Sequence, residues 1–458
     1  MSSHSSLSPR VGTAGTEDRT RTTIELLQEL VRNACANDLT PDSGQEVRNA
    51  DTLEAFFAGA PVRIERVEPH PGRVTLIVTV EGTDPQAEPL TLLGHTDVVP
   101  ADAPAWRKDP FGAEICEGQI WGRGTVDMMG LTAAMAVVTR EIALAGPPRG
   151  TLTFAGVADE EARGGLGAAW LSSHRPGALD WRNCISEFGG SHLTAADGAD
   201  AIVIAVGEKG AAQRRLVVHT QPGHGSTPYR KTSAVTRIAE VATRIARMEL
   251  PGAHDELWTH FVTSFHFDPA TEQQLLSGAG DDVYQMFGPL ASYAHAISHL
   301  TVAETVVGAG KAINVIPGTA YLELDIRTLP GQSDEDVDRA LRAALGDLAD
   351  EVEIERLICE EATASPTDTP LYRAIEETIG EFFPGSAVVP VIGSGGSDLR
   401  FARRLGGLGY GFSLYHRDSS LARMLGRWHA TDEHISVADL ELTVEALRRL
   451  VTRFVNPS

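Results

Sequence analysis

The chain has 458 residues, a net charge of −23 and four cysteines. That length exceeds one ordinary hydrophobic core and implies two domains. The charge argues against nucleic-acid binding, which wants a basic stripe, and no apolar run approaches the roughly 20 residues that a membrane helix needs. Cys35, Cys116, Cys184 and Cys359 lie far apart with no Cys-x-x-Cys pair, so they read as buried free thiols rather than as a thiolate zinc site.

Met1 to Arg10 is rich in Ser and has no apolar core segment. It reads as a disordered tail rather than a secretory signal, with residues 1–20 outside the folded part and the cytoplasm as the default location. Helical apolar spacing follows over Thr22 to Asn37 and Gln45 to Phe57, then strand-like alternation over Arg73 to Glu81. Leu90 to Val99 is a short apolar run ending in polar residues, as in a buried strand that delivers side chains to a site at its C-terminal end. A helix over Met128 to Ala145, a strand over Thr151 to Val157, a helix over Ala168 to Ser173 and a strand over Cys184 to Phe188 continue the alternation. This order predicts a mainly parallel sheet with helices on both faces.

After Ala201 the pattern changes. A strand over Gly207 to Thr220, a helix over Ser233 to Met248, strands over Thr301 to Val307 and Thr319 to Arg327, and a helix over Ser333 to Leu348 suggest a separate α+β domain of the split βαβ, ferredoxin-like type. Pro251 to Leu300 leans helical without a clear period, and Glu361 to Pro370 resembles a linker. A helix over Leu371 to Phe383, a strand over Val388 to Ile392 and a helix over Val437 to Phe454 return to the α/β style. The expected division is therefore residues 21–207 and 364–458 in one domain, with residues 208–363 inserted as the second.

Hard or borderline divalent ions take imidazole nitrogen and carboxylate oxygen, and four segments offer these groups at strand ends or loops. Gly94-His95-Thr96-Asp97 sets His95 and Asp97 two apart, so that one can ligate while the other orients it. Gly122-Arg123-Gly124-Thr125-Val126-Asp127 is a tight loop with Asp127 at the start of a helix. Ala158-Asp159-Glu160-Glu161 puts three acids at a strand end, and Asn183 to Gly190 ends a strand with Glu187. His429 lies far downstream in Trp428-His429-Ala430-Thr431-Asp432-Glu433, with His416 and His434 as nearby rivals. Singly these read as a core histidine, an N-cap and a solvated acidic loop. Together they converge, because the strand ends of one parallel sheet share an edge.

That order of motifs resembles the M20 family of metallopeptidases, which includes glutamate carboxypeptidases, aminoacylases, succinyl-diaminopimelate and acetylornithine deacylases and carnosine-type dipeptidases. The matching stretches are 94–100, 122–130, 159–165, 187–190, 223–228, 314–331, 396–400 and 429–437. The resemblance implies a zinc-peptidase-like catalytic domain, a lid/dimerisation domain and two Zn2+, with Co2+ or Mn2+ as substitutes. It implies that Asp127 bridges the two ions, that His95 and Glu187 complete one and Glu161 and His429 the other, that Asp97 supports His95, and that Glu160 is the general base. The family has Asp or Glu at the position of Glu187, and Glu resembles the carboxypeptidase and deacylase branches. Met128-Met129-Gly130-Leu131 departs from the family's Met-Lys-Gly-Gly without touching a proposed ligand. In the lid, Gly223-His224-Gly225-Ser226-Thr227-Pro228 resembles the motif whose His reaches into a partner subunit's site. Asn314, Arg327 and Arg400 match substrate residues, with Lys209 a weaker candidate. The implied protein is a homodimeric amide hydrolase acting on a small peptide or N-acyl amino acid with a free carboxylate. Its rivals are a dipeptidase rather than a deacylase, a single-metal site, and a non-catalytic binding protein on the same fold.

Overall fold

The computed structural model describes residues 14–278 and 280–457. Residues 1–13 of the expected tail lie outside the described residues, but residues 14–20 belong to the helix Ala14–Arg32. That corrects the reading of residues 1–20 as a tail. Thr16, Thr20 and Thr23 are buried along this helix with Leu26, Leu27, Leu30 and Val31. Arg19 reaches Glu141 at 2.8 Å and Glu445 at 2.6 Å, one on each of the two helices against which this one packs. Threonines that back-bond to the preceding turn hid this segment from an apolar-periodicity reading.

The principal sheet has six strands in the order Arg63–His70, Arg73–Val80, Leu152–Val157, Leu90–His95, Asn183–Ser186, Leu408–Gly411. The first two pairings are antiparallel and the remaining three parallel, so the sheet is mixed, with its parallel half carrying the sequence motifs. Leu90–His95 is buried at every position between two parallel neighbours. Helices that include Ala14–Arg32, Met129–Ala145 and Val437–Val455 share one core on one face, and Ala168–His174 and Leu399–Arg404 cover the other.

A second small sheet pairs Asp200–Glu208 in parallel with Ala387–Gly393, and antiparallel with Gly189–Thr194 and with Thr363–Ala364, which lies inside the expected linker. Asp200–Glu208 falls where the sequence pattern was read as changing domain. Ile202, Ile204 and Val206 face one core while Ala201 and Val203 face another. A strand buried on both faces shows no alternation to read.

The α+β part is an antiparallel sheet in the order Val352–Arg356, Arg214–His219, Thr319–Thr328, Thr301–Ala309, covered on one face by Ala234–Ile245 and Asp334–Leu345. This is the expected ferredoxin-like order. Ser233 caps the first of these helices, and Ser333 with Asp336 forms a capping box on the second. The helix-leaning stretch departs from the simple insertion. Helices Glu256–Thr263 and Ala291–Ser298 lie within residues 208–363 yet bury Trp258, Phe261 and Tyr293 in one core with Val389 and Val391 of the small sheet. Tyr293 also donates to the Ile392 carbonyl at 2.9 Å. Aromatic area of this size, about 150–250 Å2 per ring, outweighs chain order in deciding where the stretch docks.

Lys209 joins the two parts. Its buried Nζ donates to the Ala296 and His299 carbonyls, both at 2.7 Å, and to Thr301 Oγ1 at 3.0 Å. It is thus committed to the junction rather than to a substrate. Burial pushes its pKa down from 10.5 to about 7, helped by Arg327. Between those values the unfolded chain holds a proton that the folded chain lacks, so stability rises with pH from about 7 to 10.5, by at most about 1.4 kcal/mol per pH unit. Urea unfolding of wild type and Lys209→Met at pH 7.5 and 9.5 is expected to show this rise in the wild type and not in the variant. Equal slopes would mean that the buried amine keeps its ordinary pKa. Among the described residues, no helix is long and apolar enough to cross a membrane.

Candidate metal centre

The ends of three parallel strands, the loop before helix Met129–Ala145 and one distant loop meet. His95 ends its strand with Nδ1–H donating to the Asp97 carbonyl at 2.9 Å, which turns Nε2 toward Asp127 Oδ1 at 3.1 Å and Glu187 Oε2 at 3.7 Å. The other Asp127 oxygen lies 3.2 Å from His429 Nε2, which is also 3.1 Å from Glu161 Oε2. One carboxylate therefore stands between two imidazoles. His434, the first rival to His429, instead stacks on Trp121 with ring centroids 4.5 Å apart and bonds the Asp432 carbonyl. The backbone N–H of His416, the second rival, bonds Asp439 Oδ1 at 2.8 Å, and two groups of donors found among the described residues are of cation size. Those groups are His95, Glu160, Glu187 and His95, Asp127, Glu161, each with one donor atom per residue inside 4.8 Å.

The donor chemistry fits divalent cations. The set is nitrogen and oxygen with no thiolate, suited to zinc or a harder ion. Burial and the charge of Asp127 push the Glu187 carboxyl up to about 8 and raise Glu161 as well. Burial opposes protonation of His95, but its contacts with Asp127, Asp97 and Glu187 outweigh that and raise its pKa well above the usual value. Glu161 Oε1 is buried without a hydrogen-bond partner. Acids that crowd one another upward, with a spare oxygen among them, are what a cation relieves.

Asp97 is wholly buried and does more than face His95. Its two oxygens accept the backbone N–H groups of Glu160 and Glu161, each at 3.1 Å, and Asn37 Nδ2 at 2.9 Å. Asn37 also bonds Asp159, which pairs with the fully buried Arg73 at 2.6 Å, and Arg73 pairs with Glu46 at 2.7 Å. This network fixes the Glu160–Glu161 turn. Asn37, Glu46 and Arg73 carried no motif and escaped the sequence reading; only their polarity within apolar stretches hinted at them.

A second clamp joins distant loops. Glu433 accepts the N–H groups of Gly124, Val126 and Asp127 at 3.1, 2.8 and 3.1 Å, and pairs with Arg123 at 2.7 Å. Arg123 in turn donates to the His429 carbonyl at 3.1 Å. The loop that carries Asp127 is thereby registered against the loop that carries His429. Gly124 is required for this turn: its φ is +86°, and a Cβ would lie 2.4 Å from Val98 Cγ1. Asp159, Phe188 and His429 hold positive φ without being glycine, so backbone strain gathers around the cluster.

The cluster floors a cavity of about 390 Å3 whose walls include Arg327, Arg400, Phe188 and Trp428. Arg400 is buried, donates to the Ser397 carbonyl at 2.7 Å, lies 3.8 Å from Glu160 Oε1 and has no hydrogen-bond partner for Nε. His224 and Asn314 do not line this cavity. They sit on a two-stranded ribbon, with Gly223–His224 against Val315–Ile316, and both are exposed. His224 Nδ1 accepts the Ser226 N–H at 3.2 Å, which leaves the proton on Nε2 pointing outward as a donor.

A mixed sheet whose parallel strands end in a cavity floored by histidines and acids is the architecture of a metallohydrolase. The chain belongs to peptidase family M20/M25/M40, whose profile matches residues 91–453. It is 27% identical over 442 residues to a succinyl-diaminopimelate desuccinylase of Xanthomonas campestris pv. campestris, covering 94% of this chain and 98% of that one. It is 28% identical over 396 residues to the N-fatty-acyl-amino acid synthase/hydrolase PM20D1 of Xenopus tropicalis, covering 83% and 75%. An M20 family metallo-carboxypeptidase from Sulfolobus solfataricus superposes with a TM-score of 0.68 at 16% identity, covering 96% and 99%. The protein is an enzyme, an M20 hydrolase of the peptide or acyl-amino-acid type.

Proposed function

We propose that the protein hydrolyses the amide of a small peptide or N-acyl amino acid with a free carboxylate. The observation that carries this reading is the meeting of Asp127, Glu161, Glu187 and His429, with His95 buried beneath them, on the floor of a cavity that also presents Arg327 and Arg400. Residues 14–207 and 364–457, with the helices Glu256–Thr263 and Ala291–Ser298 that dock on the small sheet, make the catalytic domain, and the α+β sheet with its two helices within residues 208–363 is the lid. Two zinc ions would be held by Asp127 between them, His95 and Glu187 on one side and Glu161 and His429 on the other. When bound, they would acidify water and polarise the amide carbonyl.

The chain's own groups do the rest. Glu160 takes the proton from the attacking water and delivers it to the leaving nitrogen. Asp97 holds the turn that aims Glu160 and fixes the His95 tautomer. Arg400, with its unpartnered N–H, receives the substrate carboxylate, and Arg327 closes over it from the lid. A second copy of the chain supplies His224. Support for a dimer through the lid comes from the exposed edge strand Thr301–Ala309, where Val307 is 65% exposed, and from Ile313 and Tyr229 near the ribbon.

Rates on N-acyl amino acids and dipeptides, each with zinc, cobalt or manganese, test the reading. Hydrolysis confined to substrates with a free carboxylate, and abolished by a chelator, is the expected result. Equal rates on carboxyl-amidated analogues would overturn it.

A further inference from the structure

The two loops that bring Glu187 and His429 each place an aromatic residue beside the ligand, Phe188 after the first and Trp428 before the second. Both are half-buried, both line the main cavity, and their rings meet edge to face at 4.9 Å. Phe188 is in turn backed by Tyr293 at 6.4 Å, from the stretch that docks on the small sheet. Behind the pair lies a second void of about 20 Å3, walled by Val126, Leu131 and Met424 and also by Glu187, Ser413 and Tyr415. It is room for about one water and none for a chain.

The cavity's charges are mostly spent within the protein. Arg163 pairs with Glu360 at 3.0 Å and Arg403 with Glu208 at 3.6 Å, while Arg327, 2.9 Å from Asp325, and Arg400, 3.8 Å from Glu160 and 4.0 Å from Glu360, are the pair assigned to the one substrate carboxylate. Of these lining guanidiniums, only Arg400 keeps a buried N–H without a hydrogen-bond partner. One carboxylate is thus provided for. A second, on the acyl side, would meet no spare cation there and would face aromatic carbon next to the acidic cluster.

We infer that the substrate carries one carboxylate and an apolar acyl group of short to medium length, held against Phe188 and Trp428, and that Trp428 is the back wall that limits its length. The inference rests on the proposed amide hydrolysis and narrows its substrate class. A succinyl-type acyl group is disfavoured because burying its charge costs more than the aromatic wall returns.

The test uses full-length, zinc-loaded protein and one amino acid, alanine, acylated with acetyl, hexanoyl, octanoyl, benzoyl or succinyl groups. Hexanoyl- and benzoylalanine are expected to exceed acetyl- and succinylalanine in kcat/KM by on the order of 100-fold, from the added apolar contact. Trp428→Ala removes the indole that closes the cavity and is expected to raise the octanoyl-to-hexanoyl ratio at least tenfold, whatever happens to absolute rates. Phe188→Ala is expected to lower the hexanoyl-to-acetyl ratio. A succinyl preference, or variants that change all five substrates in parallel, would overturn the inference. Calorimetric binding to Glu160→Gln separates the two levels. If no acylalanine is hydrolysed but hexanoylalanine still binds tighter than succinylalanine, the proposed reaction fails and the pocket assignment stands. If succinylalanine binds as tightly, the pocket assignment fails.

Discussion

Glu160→Gln is expected to lower kcat by two to four orders of magnitude while leaving the fold and bound metal in place. The amide has the shape of the carboxylate but cannot accept a proton, so the variant removes the base and little else. Its backbone N–H would still be held by Asp97, and the turn would stay registered. Burial, together with the charges of Glu187 and Asp398, raises the Glu160 carboxyl well above its usual range, so a neutral side chain is welcome at this position. The variant is therefore expected to unfold at the same temperature as the wild type or higher when both are stripped of metal. Calorimetric melting, metal content by mass spectrometry and single-turnover rates on a good substrate would check this together. Near-normal turnover would remove Glu160 from its role. Lost metal with lost turnover would make it a ligand instead, an assignment that its proximity to His95 and Glu187 makes worth testing.

The site was legible where chemistry and strand ends coincide. His95, Glu161 and Glu187 each close an apolar strand, a signal visible in one dimension, and their meeting follows from one sheet edge, whereas Asp127 arrives on the glycine-rich loop before helix Met129–Ala145. His429 had two rivals within thirteen residues on either side, and only the fold separates them. The supports were less legible. Glu433 was noticed as part of a motif, but its work is done on backbone N–H groups some 300 residues away, which no spacing encodes. Arg73 and Glu46 are bound to each other inside the protein, although charged residues in sequence read as surface. The strand Asp200–Glu208 was misread because both its faces are buried, and the stretch after Pro251 because its anchors are aromatic rings without helical period. Local pattern reports the environment of one face; these elements have two, or none.

His224→Ala is expected to cost roughly 100- to 1,000-fold in kcat, the loss of one donor to a developing oxyanion. The residue lies outside the cavity of its own chain, exposed on a ribbon flanked by Ile313, which is 105% exposed, and Val315, 49% exposed. Its Nδ1 accepts the Ser226 N–H, which leaves Nε2 of this exposed ring as the donor. A donor prepared in this way, beside apolar side chains facing water, suits a site on a second copy. That geometry has a consequence that a cis role lacks. In a heterodimer of a His224→Ala chain and a Glu160→Gln chain, the first chain's site keeps its base and receives an intact His224 from the other, while the second site has neither. One site of two would work, giving up to about half the wild-type activity per heterodimer and about a quarter in a fully exchanged equal mixture. Either homodimer alone would be nearly dead. With subunit exchange verified by native mass spectrometry, recovered activity assigns His224 to the partner's site. No recovery would place it in cis or outside the reaction, and a fully active monomer by light scattering would reject the shared site altogether.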